Sequence, residues 1–233
     1  MQKLIYAADD EMNIRDLIKM FLENAGYAIE VFENGDALWE RFQLKPCDLV
    51  ILDIMMPGRD GFTICTQIRK MSTIPIIMLT ARSSEVDYIT GLSLGSDDYF
   101  TKPFSPMSLV MRIQAIFRRI EMDRGNSKET QTLSFQDITV YPDKKTILIL
   151  DRPIDFTPTE FDLIRYLLEN KDRAISREEL LNKVWGYDSA VETRVTDDTI
   201  KRIRKKLLNA GSQTLIETIW GYGFKLSGKE EPV

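Results

Sequence analysis

Asp48-Leu-Val-Ile-Leu-Asp53 is a short apolar run between two acids, and Leu4-Ile-Tyr-Ala-Ala8 likewise ends on an acidic pair, Asp9-Asp10. Unbroken apolar runs of this length, bounded by turn residues, are expected of strands buried on both faces. Ile29 to Phe32, Ile74 to Leu79 and Tyr99 to Thr101 repeat the signal, and between the first two runs Ile14, Leu17, Ile18, Phe21, Leu22 and Ala25 recur at helical spacing. Five such alternations predict an α/β unit with a five-stranded, doubly wound parallel sheet. With strand order 2-1-3-4-5 the topological switch lies between strands one and three, which Asp9, Asp10 and Asp53 close.

Asp at a strand end is an ordinary turn residue, and that reading accounts well for any one of the three. Three that converge point instead to a hard divalent cation such as Mg²⁺, held by carboxylates and phosphate oxygens. The chain of 233 residues contains no histidine, so imidazole bases, His-metal sites and Ser-His-Asp arrangements are excluded. Cys47 and Cys65 are too few for a disulfide framework and are expected to be structural, in a reducing compartment. The N-terminal apolar stretch is too short for a signal peptide and no stretch has membrane-spanning length, so the expectation is a cytoplasmic protein without a membrane partner.

Glu121 to Gln131 is polar and has little to bury, which places a linker at 122–131 between units 1–121 and 132–228. Beyond it, Ile138 to Tyr141, Thr146 to Leu150 and Ile154 to Phe156 predict an antiparallel sheet. Thr157-Pro-Thr-Glu160 and Ser176-Arg-Glu-Glu179 both have the capping-box pattern. A helix from Thr193 to Leu208 would bury Thr196, Ile200, Ile203 and Leu207, leaving Arg194, Lys201 and Lys205 opposite, flanked by Arg202 and Arg204. A basic face of this kind suits duplex DNA. It also suits plain solvation, since Asp197 with Lys201 and Asp198 with Arg202 are i,i+4 pairs. Net charge favours neither reading: the chain carries −5, and from Thr132 onward 16 Lys and Arg face 17 Asp and Glu.

Asp9-Asp10, Asp53 with Pro57-Gly58 and Gly61, Thr80-Ala81 and Lys102-Pro103 together resemble the receiver domain of bacterial response regulators, a flavodoxin-like fold, over Lys3 to Arg119. The resemblance implies that Asp53 accepts a phosphoryl group, that Asp10 and the Met55 carbonyl bind Mg²⁺ directly, and that Asp9 helps through water. It further implies that Lys102 contacts a phosphoryl oxygen beside a cis Lys102–Pro103 bond, and that Thr80 and Tyr99 form a switch pair. Without histidine the chain cannot supply a phosphohistidine, so the implied donor is a separate sensor histidine kinase. Dimer-face residues carry over as Asp97, Asp98, Arg112 and Arg119, while Tyr88 and Ser108 stand where the family has a further Lys and Glu.

Phe156-Thr-Pro-Thr-Glu-Phe161, Val184-Trp-Gly186, Ile200-Lys-Arg-Ile-Arg-Lys-Lys-Leu207 and Gly221-Tyr-Gly-Phe224 resemble the winged helix-turn-helix domain of the OmpR/PhoB family. By that resemblance Arg194, Thr199, Lys201, Arg202, Arg204 and the wing residue Lys225 face DNA. The loop from Trp185 to Glu192 would meet RNA polymerase, and a homodimer would form on activation. Family wings commonly carry Arg where this chain has Trp220, which is expected either to pack beneath the wing, the favoured alternative, or to wedge against DNA. The whole then reads as a transcription regulator. Two alternatives stand beside it: an aspartyl-phosphate phosphatase or transferase, and a receiver acting through protein contacts alone. Against the enzyme, Asp53-Ile-Met-Met56 lacks a general acid two residues on.

Overall fold

The computed structural model describes residues 2–81, 95–125, 131–186 and 195–228. The chain forms two units, Met1–Gln114 and Ala115–Val233. The first runs β1 (Leu4–Ala8), α1 (Met12–Asn24), β2 (Ala28–Phe32), α2 (Gly35–Leu44), β3 (Leu49–Asp53), α3 (Gly61–Arg69), β4 (Ile76–Ala81) and β5 (Asp98–Lys102), followed by a helix, Pro106–Gly125. All strand pairs are parallel, in the expected order β2-β1-β3-β4-β5.

Side chains alternate across a strand, so each apolar run serves two cores. Tyr6, Ala8, Val50, Leu52, Ile76 and Met78 pack with Leu38 and Phe42 of α2 and Ile64, Cys65 and Ile68 of α3. The alternate residues Ile5, Ala7, Leu49, Ile51, Ile77 and Leu79 are equally buried on the other face, where α1 packs on β1 and β2 with Ile18 and Leu22 inward. Cys47 and Cys65 are buried free thiols, and burial pushes Cys47 up to about 12, out of the range of a reactive thiolate. The Pro106–Gly125 helix continues into the segment expected to be linker. A lack of apolar residues there does not stop a helix, because Glu, Met and Arg are good helix formers.

After the end of that helix, the second unit contains the antiparallel sheet β6-β7-β8-β9 (Leu133–Phe135, Ile138–Tyr141, Thr146–Ile149, Arg152–Ile154). The third of these strands stops one residue before the predicted end, because Leu150 and Asp151 take φ of 49° and 60° to form the hairpin turn. Helix Pro158–Glu169 follows, with the full Thr157/Glu160 capping box. Then come β10 (Ile175–Ser176), helix Arg177–Leu180 continued as a π-turn over Leu181–Trp185, helix Val195–Asn209, and the hairpin β11 (Thr214–Ile219) and β12 (Gly223–Gly228).

The second predicted box forms only by half. Ser176 accepts from the Glu179 N–H at 3.0 Å, but the Glu179 carboxylate turns to the Tyr166 hydroxyl at 2.6 Å and to Arg173. β10 pairs with β12, and a Cβ at Gly223 would collide with the Ile175 carbonyl oxygen, which is why glycine sits there. Leu163, Leu167, Val184, Trp185, Ile200, Ile203 and Phe224 share one core, so three helices and a hairpin form a winged helix.

Candidate functional site

The carboxyl ends of β1, β3 and β5 place Asp9, Asp53 and Lys102 together. Lys102 Nζ lies 2.8 Å from Asp9 Oδ2 and 3.1 Å from Asp53 Oδ2. One carboxylate oxygen each from Asp9, Asp10 and Asp53 falls within 4.8 Å of the others. Asp9 and Asp53 are buried and Asp10 is exposed. The approach of Asp9 Oδ2 to Lys102 lies outside hydrogen-bonding angles, so this buried oxygen makes an ion pair but no hydrogen bond. Arg15 donates to the backbone carbonyls of Asp9 and Asp10, both at 2.8 Å, fixing the strand end. The Lys102–Pro103 peptide is cis. A Cβ at Gly61 would fall on the Asp53 carbonyl oxygen, so the chain returns closely behind the acid only because this residue is glycine.

Burial, then the charge of Asp9, pushes Asp53 up to about 6, and burial raises Asp9 as well. Burial works against the charge of Lys102, but its ion pairs with Asp9 and Glu11 and the charge of Asp53 hold its pKa above the ordinary lysine value. Clustered, partly dehydrated carboxylates with an oxygen lacking a hydrogen bond fit a hard divalent cation, which would relieve their repulsion. The Met55 side chain is exposed, and its nearby backbone works against the rise of the Asp53 pKa. Thr80 is buried at the end of β4, its hydroxyl donating to the Ala81 carbonyl at 3.1 Å. Tyr99 is half-buried with its ring packed against the core that α2 and α3 cover.

The dimer-face residues lie differently from expectation. Asp97 is 1% exposed; its Oδ2 accepts from Arg69 at 2.7 Å and from the Ile76 N–H at 3.0 Å. Asp98 pairs with Arg112 at 2.5 Å, both nearly inaccessible. Their charges face partners inside the protomer, since a buried carboxylate needs its counterion there. The side chain of Arg119 lies outside the described residues, as does Tyr88; Ser108 is exposed.

The second unit corrects the basic face. Arg202 is 8% exposed and points inward, its Nε donating to Glu160 at 3.1 Å and its NH2 to the Thr199 hydroxyl at 3.1 Å. Thr199 is fully buried. Arg204 donates to the Ile216 carbonyl and, at 2.9 Å, to the Thr218 hydroxyl. Lys201 and Lys205 remain exposed, Lys225 is half-buried, and Arg194 lies outside the described residues with most of the loop Trp185 to Glu192. Trp220 is 92% exposed at the hairpin turn, beside Tyr222 at 48%, which rules out packing beneath the wing.

Residues 5–114 match the family described as "Response regulator receiver domain", and residues 151–226 that described as "Transcriptional regulatory protein, C terminal". YclJ of Bacillus subtilis (strain 168), an uncharacterized transcriptional regulatory protein, is 40% identical over 222 residues, which cover 95% of this chain and 97% of the relative. The transcriptional regulatory protein ResD of the same organism is 37% identical over 226 residues, 95% of this chain and 94% of its own. Among solved structures, DrrB of Thermotoga maritima, an OmpR/PhoB homologue, is 29% identical with a TM-score of 0.52, covering 98% of this chain and 100% of that one.

The chain belongs to the OmpR/PhoB family of response regulators.

In this response regulator Asp9, Asp10, Asp53 and Lys102 lie together, because each stands at the carboxyl end of a parallel strand. Two participants escaped the sequence reading. Glu11 reaches Lys102 at 3.0 Å, and its place next to the acidic pair was the available signal. Glu160 gathers Arg202 and Lys206, and only the capping-box pattern marked it.

Proposed function

We propose that this response regulator accepts a phosphoryl group on Asp53 and, so modified, pairs as a homodimer that binds duplex DNA and controls transcription. The observation that carries this reading is Lys102 held 3.1 Å from Asp53 in a pocket shared with Asp9 and Asp10. An Asp53 oxygen attacks phosphorus, the bond from phosphorus to the donor breaks, and the leaving group departs with the electron pair. The Lys102 ammonium stands where it neutralises charge on the transferring oxygens. Asp9, Asp10, Asp53 and the Met55 carbonyl would hold Mg²⁺, which when bound stabilises that same charge. With no histidine in the chain, the phosphoryl donor is another molecule, a sensor histidine kinase.

Phosphorylation adds charge and acceptor oxygens that favour one of two arrangements of the Thr80 hydroxyl and the Tyr99 ring. DNA contact falls to the exposed Lys201 and Lys205, to Arg194, and to Trp220 at the wing tip. Pairing two readers raises the effective concentration of the second on a repeated site. The dimer face would use the exposed Met107 and Met111, one turn apart, rather than Asp97, Asp98 and Arg112. The segment from Trp185 to Glu192 is assigned to RNA polymerase on sequence likeness alone. A cytoplasmic location is supported by two free thiols and, among the described residues, by no helix long and apolar enough to cross a membrane. The protein acts by binding and switching, without turnover of a substrate.

The test is incorporation of label from a radiolabelled acyl phosphate with Mg²⁺, followed by a gel shift on promoter DNA. Wild type takes up label and binds DNA more tightly afterwards, and Asp53→Asn does neither. Mg²⁺-dependent label persisting in Asp53→Asn removes Asp53 as acceptor, and equal occupancy with and without label removes the coupling.

A further inference from the structure

Glu11 is the N-cap residue of α1, yet its side chain makes no capping hydrogen bond. Acidic side chains at that position normally gain from accepting a free helix N–H. This one turns instead to Lys102, 91 positions along the chain, with Oε1 at 3.0 Å from Nζ. Its own backbone N–H donates to Asp9 Oδ1 at 3.0 Å, which seats it at the pocket rim. Lys102 therefore faces three carboxylates, and they are not equivalent. The Asp9 and Asp53 side chains are 0% and 5% exposed, whereas that of Glu11 is 60% exposed. An ammonium has three donors; here one bonds to Glu11 and one to Asp53.

An incoming phosphoryl group brings oxygens that need the same ammonium. Of the three present partners, Asp53 is the nucleophile, and Asp9 is fully buried, so losing the lysine would leave it an unpaired charge out of reach of water. Glu11 alone stands half in water already and can release its lysine donor to solvent.

We propose that Glu11 is a positioning residue that occupies a Lys102 donor in the unmodified receiver and yields it to the transferring phosphoryl group, so restraining the rate at which Asp53 is modified. This rests on Asp53 being the acceptor. When Asp53 attacks acetyl phosphate, an oxygen–phosphorus bond forms to Asp53, the bond from phosphorus to the acetate oxygen breaks, and acetate leaves with the electron pair. Glu11 takes no covalent part.

The experiment measures initial label incorporation from acetyl phosphate into the full chain at saturating Mg²⁺. Wild type is compared with Glu11→Gln, Glu11→Ala, Lys102→Ala and the Glu11→Gln/Lys102→Ala double variant. Both Glu11 variants should be modified about threefold faster, the size expected of a half-exposed ion pair. The gain should vanish when Lys102 is absent, because a residue acting through Lys102 has nothing to act on. Thermal melting of Glu11→Gln should match wild type. Unchanged rates in Glu11→Gln and Glu11→Ala overturn the inference, and so does an equal gain in the Lys102→Ala background. If wild type itself takes no label, the acceptor reading fails first; label in wild type with no change in the Glu11 variants overturns this inference alone.

Discussion

Arg202 Nε donates to Glu160 Oε1 at 3.1 Å, and the two side chains, 8% and 1% exposed, close a polar joint inside the second unit. The same carboxylate accepts from the Thr157 N–H at 2.9 Å, completing the cap of helix Pro158–Glu169, and from Lys206 Nζ at 2.6 Å. One buried acid thus caps the start of one helix and ties it to helix Val195–Asn209. Burial alone would raise the Glu160 pKa, but the charges of Arg202 and Lys206 and the hydrogen bonds outweigh it and hold the carboxyl below its usual range.

Breaking that joint should unfold the second unit more easily. Removing Arg202 leaves the buried Glu160 with Lys206 and the Thr157 N–H as partners, at a cost of about 1.5–3 kcal/mol for a lost hydrogen bond between charged groups, so Arg202→Ala should show a lower urea midpoint for unfolding of the second unit. Because the folded pKa is depressed, the stabilisation is present above the ordinary glutamate value of 4.5 and is lost as pH falls through the folded value. Glu160→Gln should lack that acid-side loss. A pH-stability curve identical to wild type would count against the joint.

Lys201, exposed one residue earlier, should behave in the opposite way. Lys201→Ala is expected to melt within about 0.5 kcal/mol of wild type. Its DNA affinity should fall on every sequence, with a log–log salt slope shallower by about one. Filter binding across a salt series measures both, and an unchanged slope would place Lys201 away from phosphate.

Trp220 gives the clearest separation of folding from binding. At 92% exposed it contributes little to packing, so Trp220→Ala should keep the wild-type melting temperature. If the indole lies against sugar or base, the variant should lose roughly 1–3 kcal/mol of DNA affinity, the range for aromatic contacts with nucleic acid. Calorimetry and a gel shift on the same preparation decide it: a folding defect, or unaltered affinity, removes the contact.

Asp53→Asn should make the first unit more stable near neutral pH. Asp53 titrates at about 6 against 3.8 for an ordinary aspartate, so its ionised form is penalised in the fold. Stability therefore declines as pH rises from 3.8 toward 6, and the full penalty stands above that. The variant should gain on the order of 1–3 kcal/mol near neutrality and nothing in acid. Millimolar Mg²⁺ should raise the melting temperature of wild type by mass action, and of Asp10→Asn much less. A melting temperature in Asp10→Asn that tracks wild type across the Mg²⁺ titration would separate Asp10 from the cation.

The strands of the first unit were legible because short apolar runs, two of them closed by Asp, recur between helical patterns, and parallel order follows from the helices between them. The capping box at Thr157 was legible for the same local reason: donor and acceptor lie three residues apart. Ser176 showed the limit of that logic. Its partner Glu179 had the right spacing but met Tyr166 and Arg173 in space, and those bonds won.

What the sequence determined by itself is whatever short spacing enforces: the succession of elements, the acids at strand ends, the absence of imidazole chemistry, and motifs dense enough to name a family. Only the tertiary structure decided which polar side chains point outward. Helical periodicity puts Thr199, Arg202 and Arg204 at the flanks of a buried stripe, where a side chain turns in or out according to what the neighbouring element offers. Glu160, 42 positions from Arg202, and the Ile216 carbonyl turned two arginines inward; Asp98 and Arg112 form an ion pair within one protomer; among the described residues none covers Trp220. A buried charge must find its counterion wherever the fold brings one, and that distance is not written in any local pattern.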